Sequence, residues 1–212
     1  VKVGDATHDN TKTLRKTCRH VAAFREASSG NVSINEALDN EDLVAESSGS
    51  SRWRGKADEE LSLDGEDALF SAKDGSSEAS VLTLTLARNG TLSFWAKVSA
   101  GAKGVLAVEG DGVEAVSFDA ADLEDWTQVT IPVSAAATAK VTITYTRADP
   151  DESDWAILDT MEWEGERLFT VRFDGGEHGN LILGDKIQHL SEGESATAPV
   201  VSPDHGWKFA GW

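Results

Sequence analysis

The chain has 212 residues, 40% hydrophobic content and a formal net charge of -18. That length is enough for one large β domain or two unequal ones with real cores. The acidity argues against a general nucleic-acid binder and against docking on an anionic membrane surface. No apolar run approaches the length of a membrane span, so neither nucleic acid nor membrane insertion is expected.

Charge is unevenly spread. Residues 1–30 hold six Lys/Arg against three acids, while the rest of the chain is strongly acidic. Within this basic segment, Leu14, Cys18, Val21 and Phe24 recur at three- and four-residue steps and predict a helix over Lys12–Ala27. Cys18 is the one cysteine, so no intrachain disulfide forms. Its neighbour His20 lies two residues on, a spacing that does not face Cys18 on a helix. The segment 1–32 is therefore read as a basic helical lead-in. The chain opens on Val1 rather than Met, which is read as a processed or excised form.

From residue 33 the texture changes. Ile34–Asp39 predicts a helical turn, and Ser47–Ser51 predicts a loop. Short apolar runs follow, bounded by Gly, Asp, Asn and Ser: Ala68–Ala72, Ser80–Leu86, Thr91–Val98, Val105–Glu109, Val113–Phe118, Trp126–Pro132, Lys140–Arg147 and Trp155–Trp163. Leu82, Leu84 and Leu86 alternate with Val81, Thr83 and Thr85, and Val141, Ile143 and Tyr145 alternate with threonines. Period-two runs about every ten residues predict an antiparallel sandwich over 33–165. Phe94, Trp126, Ile143, Trp155 and Ile157 are its expected core. A second unit, 166–212, has expected strands at Phe169–Phe173, Leu181–Leu183 and Lys186–Leu190.

Certain stretches carry a resemblance. Asn35-Glu36-Ala37-Leu38-Asp39-Asn40, Gly90–Ser99, Asp125–Pro132 and Trp155–Asp159 together resemble the jelly-roll modules of secreted bacterial proteins, similar to MAM and galactose-binding-like domains. Here Thr160 stands where those modules carry a second acid, and Ala96 where a second Trp is usual. Phe169–Asp174, Glu194–Pro199 and Gly206–Trp212 resemble the Listeria–Bacteroides repeat, like the B repeat of internalin-type proteins. That resemblance implies a small β-grasp-like unit, truncated at Trp212, with an open strand edge. The expected fold is thus mainly β, an antiparallel jelly-roll sandwich followed by a β-grasp-like repeat.

The resemblances imply a secreted or cell-surface location and a non-catalytic adhesin-type or stalk role. The expected partners are a glycan, a protein of a host or neighbouring cell surface, or adjacent modules of the same protein. The alternative is a carbohydrate-binding module attached to a secreted glycan-degrading enzyme. No G-x-S-x-G and no zinc-ligand spacing accompanies the five histidines, so no enzyme is expected. Among seven tryptophans, Trp53, flanked by Arg52 and Arg54 in a polar stretch, is the candidate ligand contact, and the alternative reading is a Trp that caps one end of the sandwich. The acidic run containing Asp149, Asp151 and Asp154 is the candidate calcium site, because calcium takes several oxygens from one loop, and the alternative reading is a solvated acidic loop. An open aromatic sheet face favours the glycan reading, and buried tryptophans favour the stalk.

Overall fold

A computed structural model describes residues 30–72, 79–149 and 154–212. The expected helix over Lys12–Ala27, Cys18 and Asp151 lie outside the described residues.

Fifteen strands fill the described chain. They are β1 (Asn31–Val32), β2 (Val44–Glu46), β3 (Arg54–Ala57), β4 (Asp67–Phe70), β5 (Ser80–Leu86), β6 (Asn89–Val98), β7 (Val105–Gly110), β8 (Val116–Asp119), β9 (Thr127–Ser134), β10 (Ala139–Thr146), β11 (Ala156–Gly165), β12 (Leu168–Arg172), β13 (Gly179–Leu183), β14 (Ile187–Ser191) and β15 (Val200–Pro203). One 3-10 turn, Ala120–Leu123, joins β8 to β9.

The first eleven strands make an antiparallel two-sheet sandwich of jelly-roll type. One sheet runs β1-β3-β4-β11-β6-β9 and the other β2-β5-β10-β7-β8. The alternation read from the sequence sets the inner faces. Leu82, Leu84 and Leu86 of β5 meet Leu92, Phe94, Ala96 and Val98 of β6 in a single buried cluster. Leu106, Val108, Val129, Ile131, Val133, Val141, Ile143 and Tyr145 complete it. Burying such side chains contributes about 1.5–3 kcal/mol each, which is what holds the two sheets face to face.

Glycines mark where chain meets chain too closely for a side chain. Gly112, at φ +68, begins the return to β8, and a Cβ there would sit 2.5 Å from the carbonyl carbon of Ser134. Gly90 lies under the indole of Trp163, where a Cβ would stand 2.5 Å from Cζ2.

The C-terminal unit is built differently from the sandwich. It has two separate strand pairs, β12-β14 and β13-β15, with the four strands interleaved along the chain. It exposes Phe169, Ile182, Leu183, Ile187, Val200, Trp207, Phe209 and Trp212. His178 stacks on Trp207 at 3.8 Å, and Phe173 meets Trp212 edge-on at 5.0 Å.

A polar joint ties this unit to the sandwich. The Arg88 N–H donates to Ser191 Oγ at 2.9 Å, and the Ser191 N–H donates to Thr138 Oγ1 at 2.9 Å. Glu194 accepts the Thr138 N–H at 3.0 Å and also the Thr138 hydroxyl and the Ser191 N–H. These bonds, the Thr138 hydroxyl first among them, hold the Glu194 carboxyl below its usual range. Glu166, between β11 and β12, accepts from Arg88 Nε at 2.8 Å and from Asn89 Nδ2 at 2.7 Å.

Candidate functional site: the outer face of the six-stranded sheet

In a strand, successive side chains point to opposite faces, so every core residue implies an outward neighbour. On the six-stranded sheet those neighbours include Arg54 and Lys56 of β3, Ala68 and Phe70 of β4, and Ile157 and Asp159 of β11. On β6 and β9 they include Trp95, Lys97 and Gln128. The register aligns them in rows. Arg54 is opposite Phe70, Phe70 opposite Ile157, and Ile157 opposite Lys97. In the adjoining row Asp159 is opposite Trp95, and Trp95 opposite Gln128.

A second apolar cluster forms on this outer face. Ala68, Phe70 and Ile157 are buried there, with Leu61, Trp126 and Trp155 packed against them. Trp155 precedes β11 and Trp126 precedes β9, so both indoles stand at the same end of the sheet. Phe70 and Trp155 have ring centroids 6.3 Å apart at 59°, and Lys56 Nζ lies 5.4 Å from the Phe70 ring. The Trp155 backbone is pinned to Ser99. Its N–H donates to Ser99 Oγ at 3.1 Å, and its carbonyl accepts the Ser99 N–H at 3.0 Å.

Of these aromatics, Phe70 is buried, whereas Trp95, Trp126 and Trp155 are half-buried. The expectation that Trp126 and Trp155 belong to the central core therefore needs correction. They sit on the far side of the sheet from Phe94 and Ile143, and Ile157 is covered by them rather than by the opposite sheet. The error has a physical origin. An apolar strand with both faces covered reads as one continuous run, and a run does not say which residues face which side.

Asp159 is a carboxylate on the outward side of β11. It is fully buried and accepts the Leu63 N–H at 2.8 Å, so the 58–66 loop is drawn onto it. The Thr160 hydroxyl lies 3.1 Å from Asp159 Oδ1 and 3.2 Å from Asp39 Oδ2. One hydroxyl proton thus serves two carboxylates. Burial pushes the Asp159 carboxyl up to about 6, and the Asp39 and Asp64 charges add to this. Asp39 is also raised, again by burial first. Thr160 and Asp39 both have left-handed backbone, at φ 44 and 54. Thr160 falls where the register shifts between Asp159 and Glu162, a bulge that re-aims the strand at this point.

The residues singled out from the sequence fall in different places. Trp53 is 1% exposed, and its Nε1–H donates to the Ser80 carbonyl at 2.9 Å. Its indole fills the core and presents no ring face to a ligand. Arg52 is exposed beside it, and Arg54 lies on the outer face opposite Phe70. Asp154 is turned inward and accepts the Tyr145 hydroxyl at 3.0 Å, whereas Asp149 is exposed. Among the described residues no three His, Cys, Asp or Glu side chains gather in a metal-holding group. The calcium expectation therefore rests, within the described chain, on two carboxylates in unlike surroundings. The sequence signal that would have marked the outer face was the parity of Trp95 against Phe94 and of Ile157 against Leu158.

No family model and no curated protein matches the sequence. Solved structures do. The carbohydrate-binding module TmCBM61, solved with β-1,4-galactotriose, is 20% identical, with 65% of this chain and all of that one covered and a TM-score of 0.41. The K1 cleaved adhesin domain of Lys-gingipain from Porphyromonas gingivalis W83 is 12% identical over 67% of this chain and 97% of that one, TM-score 0.43. The arabinose-bound α-L-arabinofuranosidase MgGH51 is 12% identical over 63% of this chain, TM-score 0.45, and the match spans 24% of its length.

Proposed function

We propose that the sandwich is a non-catalytic glycan-binding module of an extracellular protein, and that its ligand lies across the outer face of the six-stranded sheet. The observation that carries this reading is the set of three half-buried indoles, Trp95, Trp126 and Trp155, on one face. Indole faces match the apolar faces of sugar rings, and the indole N–H and nearby amides supply polar contacts. Trp95 and Gln128 are cross-strand neighbours, which places an aromatic and an amide side by side. Adjacent strands lie about 5 Å apart and successive outward residues about 7 Å apart. The three indoles therefore span the length of a short oligosaccharide rather than a single sugar.

Binding without turnover fits the carboxylate at this face. Asp159 is buried, engaged by Leu63 and Thr160, and not presented to the surface. An adhesin-type role is compatible with the same surface, since an adhesin recognises glycans by the same contacts.

The test is affinity electrophoresis and calorimetry against a panel of neutral and acidic polysaccharides. We expect one or more to bind, and Trp126→Ala and Trp155→Ala each to weaken that binding at least tenfold with the fold retained by circular dichroism. Failure of the whole panel, or binding indifferent to both substitutions, refutes the assignment.

A further inference from the structure

We infer that the glycan bound at this face is acidic, carrying carboxylate groups held by Lys97 and Arg54. This rests on the glycan-binding reading and adds the ligand's charge.

Among the described residues, two cations of this face lack a counter-charge within it. The chain as a whole carries -18. In the rows nearest Trp126 and Trp155, however, the charged outward residues of β3 and β6 are Arg54, Lys56 and Lys97. Lys56 is neutralised by Asp58 at 2.6 Å. Arg54 and Lys97 make no ion pair among the described residues. The carboxylate that shares these rows, Asp159, is buried and already bonded to the Leu63 N–H, so it neither satisfies the cations nor faces an incoming anion.

Placement adds to charge. Arg54, Phe70, Ile157 and Lys97 form one continuous row across four strands. The two cations are thus about 14 Å apart, three strand spacings, with Phe70 and Ile157 buried between them beneath Leu61, Trp126 and Trp155. Lys97 is half-buried, on the strand between those led by Trp155 and Trp126. A cation partly withdrawn from water between apolar groups gains more from a carboxylate than one on an open surface does. A neutral sugar stacked on either indole would leave it without a counter-charge. A sugar bearing a carboxylate supplies one and keeps its apolar face for the ring. Asp125, exposed next to Trp126, and Glu59, Glu60, Asp64 and Glu66, exposed on the loop that Leu61 and Leu63 hold against this face, work against any anion and keep the preference moderate.

The experiment compares tetra-galacturonate with the neutral β-1,4-galactotetraose by calorimetry at low and at physiological salt. The proteins are the wild type, Lys97→Gln, Arg54→Gln, their double variant and Trp126→Ala. A charge-assisted pair predicts roughly tenfold tighter binding of the acidic oligomer at low salt, narrowing as salt rises. The double variant loses that preference while melting at the wild-type temperature, and Trp126→Ala weakens both oligomers. Equal binding of the two oligomers by the wild type overturns this inference and leaves the glycan reading standing. Binding of neither, with none of the wider panel bound, overturns both. Binding of poly-glutamate as tight as tetra-galacturonate, unchanged in Trp126→Ala, identifies a general polyanion surface and also overturns it.

Discussion

Replacing Asp159 by Asn isolates the cost of keeping a carboxylate under the 58–66 loop. Its carboxyl titrates near 6 in the folded chain against an ordinary 3.8. The folded state therefore holds this proton more tightly than the unfolded state does. Its stabilising contribution is complete below pH 3.8 and is lost as pH rises through 6. The displacement is worth at most about 3 kcal/mol, and screening by the surrounding polar groups reduces it to about 1–2 kcal/mol. Asn keeps an oxygen to accept the Leu63 N–H and cannot ionise. At pH 7.5 Asp159→Asn should thus melt higher than the wild type by about 2–8 °C for a chain of this size. At pH 4.5 the gap should largely close. Thermal unfolding followed by intrinsic fluorescence, in buffers of matched ionic strength from pH 4 to 8, measures both. Asp39 titrates in both proteins, so its own upward displacement largely cancels in the difference. Parallel melting curves across the range, or a variant that loses ground as pH rises, would refute the argument.

Trp53→Phe should destabilise the sandwich by about 2–3 kcal/mol in urea, because it removes the bond to the Ser80 carbonyl and leaves a void. It should leave glycan affinity unchanged, since the indole is enclosed. Gly112→Ala should cost about 1–3 kcal/mol, because Ala must take a left-handed backbone angle against the Ser134 carbonyl; chemical denaturation reads it directly. Glu194→Ala should speed amide exchange and proteolysis in 186–195 with little change in the melting of the sandwich. Because the Glu194 carboxyl is held below its ordinary 4.5, the wild-type joint should loosen in the same way only as pH falls through that depressed value.

The strand positions of the sandwich were largely legible. Ser80–Leu86 has the expected limits, and the runs from Thr91 to Val98 and from Lys140 to Arg147 are displaced by only a residue or two. Their alternation is strong because one face meets the core and the other is lined with Thr, Ser and Lys. β1, β2 and β3 were not legible. Each has two to four residues, and Arg54-Gly55-Lys56-Ala57 is polar at one parity and small at the other. Such strands are recruited by pairing with longer neighbours, not by their own composition. The site followed the same division. Arg54 was singled out for lying beside Trp53, yet its cross-strand neighbour is Phe70, sixteen residues on and one strand over. Trp53 itself was a candidate contact because polar residues flank it, and it is the packing alternative that the structure shows, with a hydrogen bond to a residue distant in sequence. That contact depends on which sheet the following strand joins, information that short-range pattern does not contain.

The polar joint and the indole surface stand at opposite ends of the same strands. β6 begins at Asn89, bound to Glu166, and ends beside Lys97; β9 begins after Trp126 and ends near Thr138 of the joint; β11 begins after Trp155 and ends at Gly165. A pull between a bound ligand and the C-terminal unit therefore runs lengthwise along three adjacent hydrogen-bonded strands. Such a load slides whole ladders past one another, so many bonds must yield together, whereas a sideways pull on a sheet edge parts them singly. With a glycan held at the indole end, as proposed, the strands of the sandwich would carry tension lengthwise between ligand and C-terminal unit.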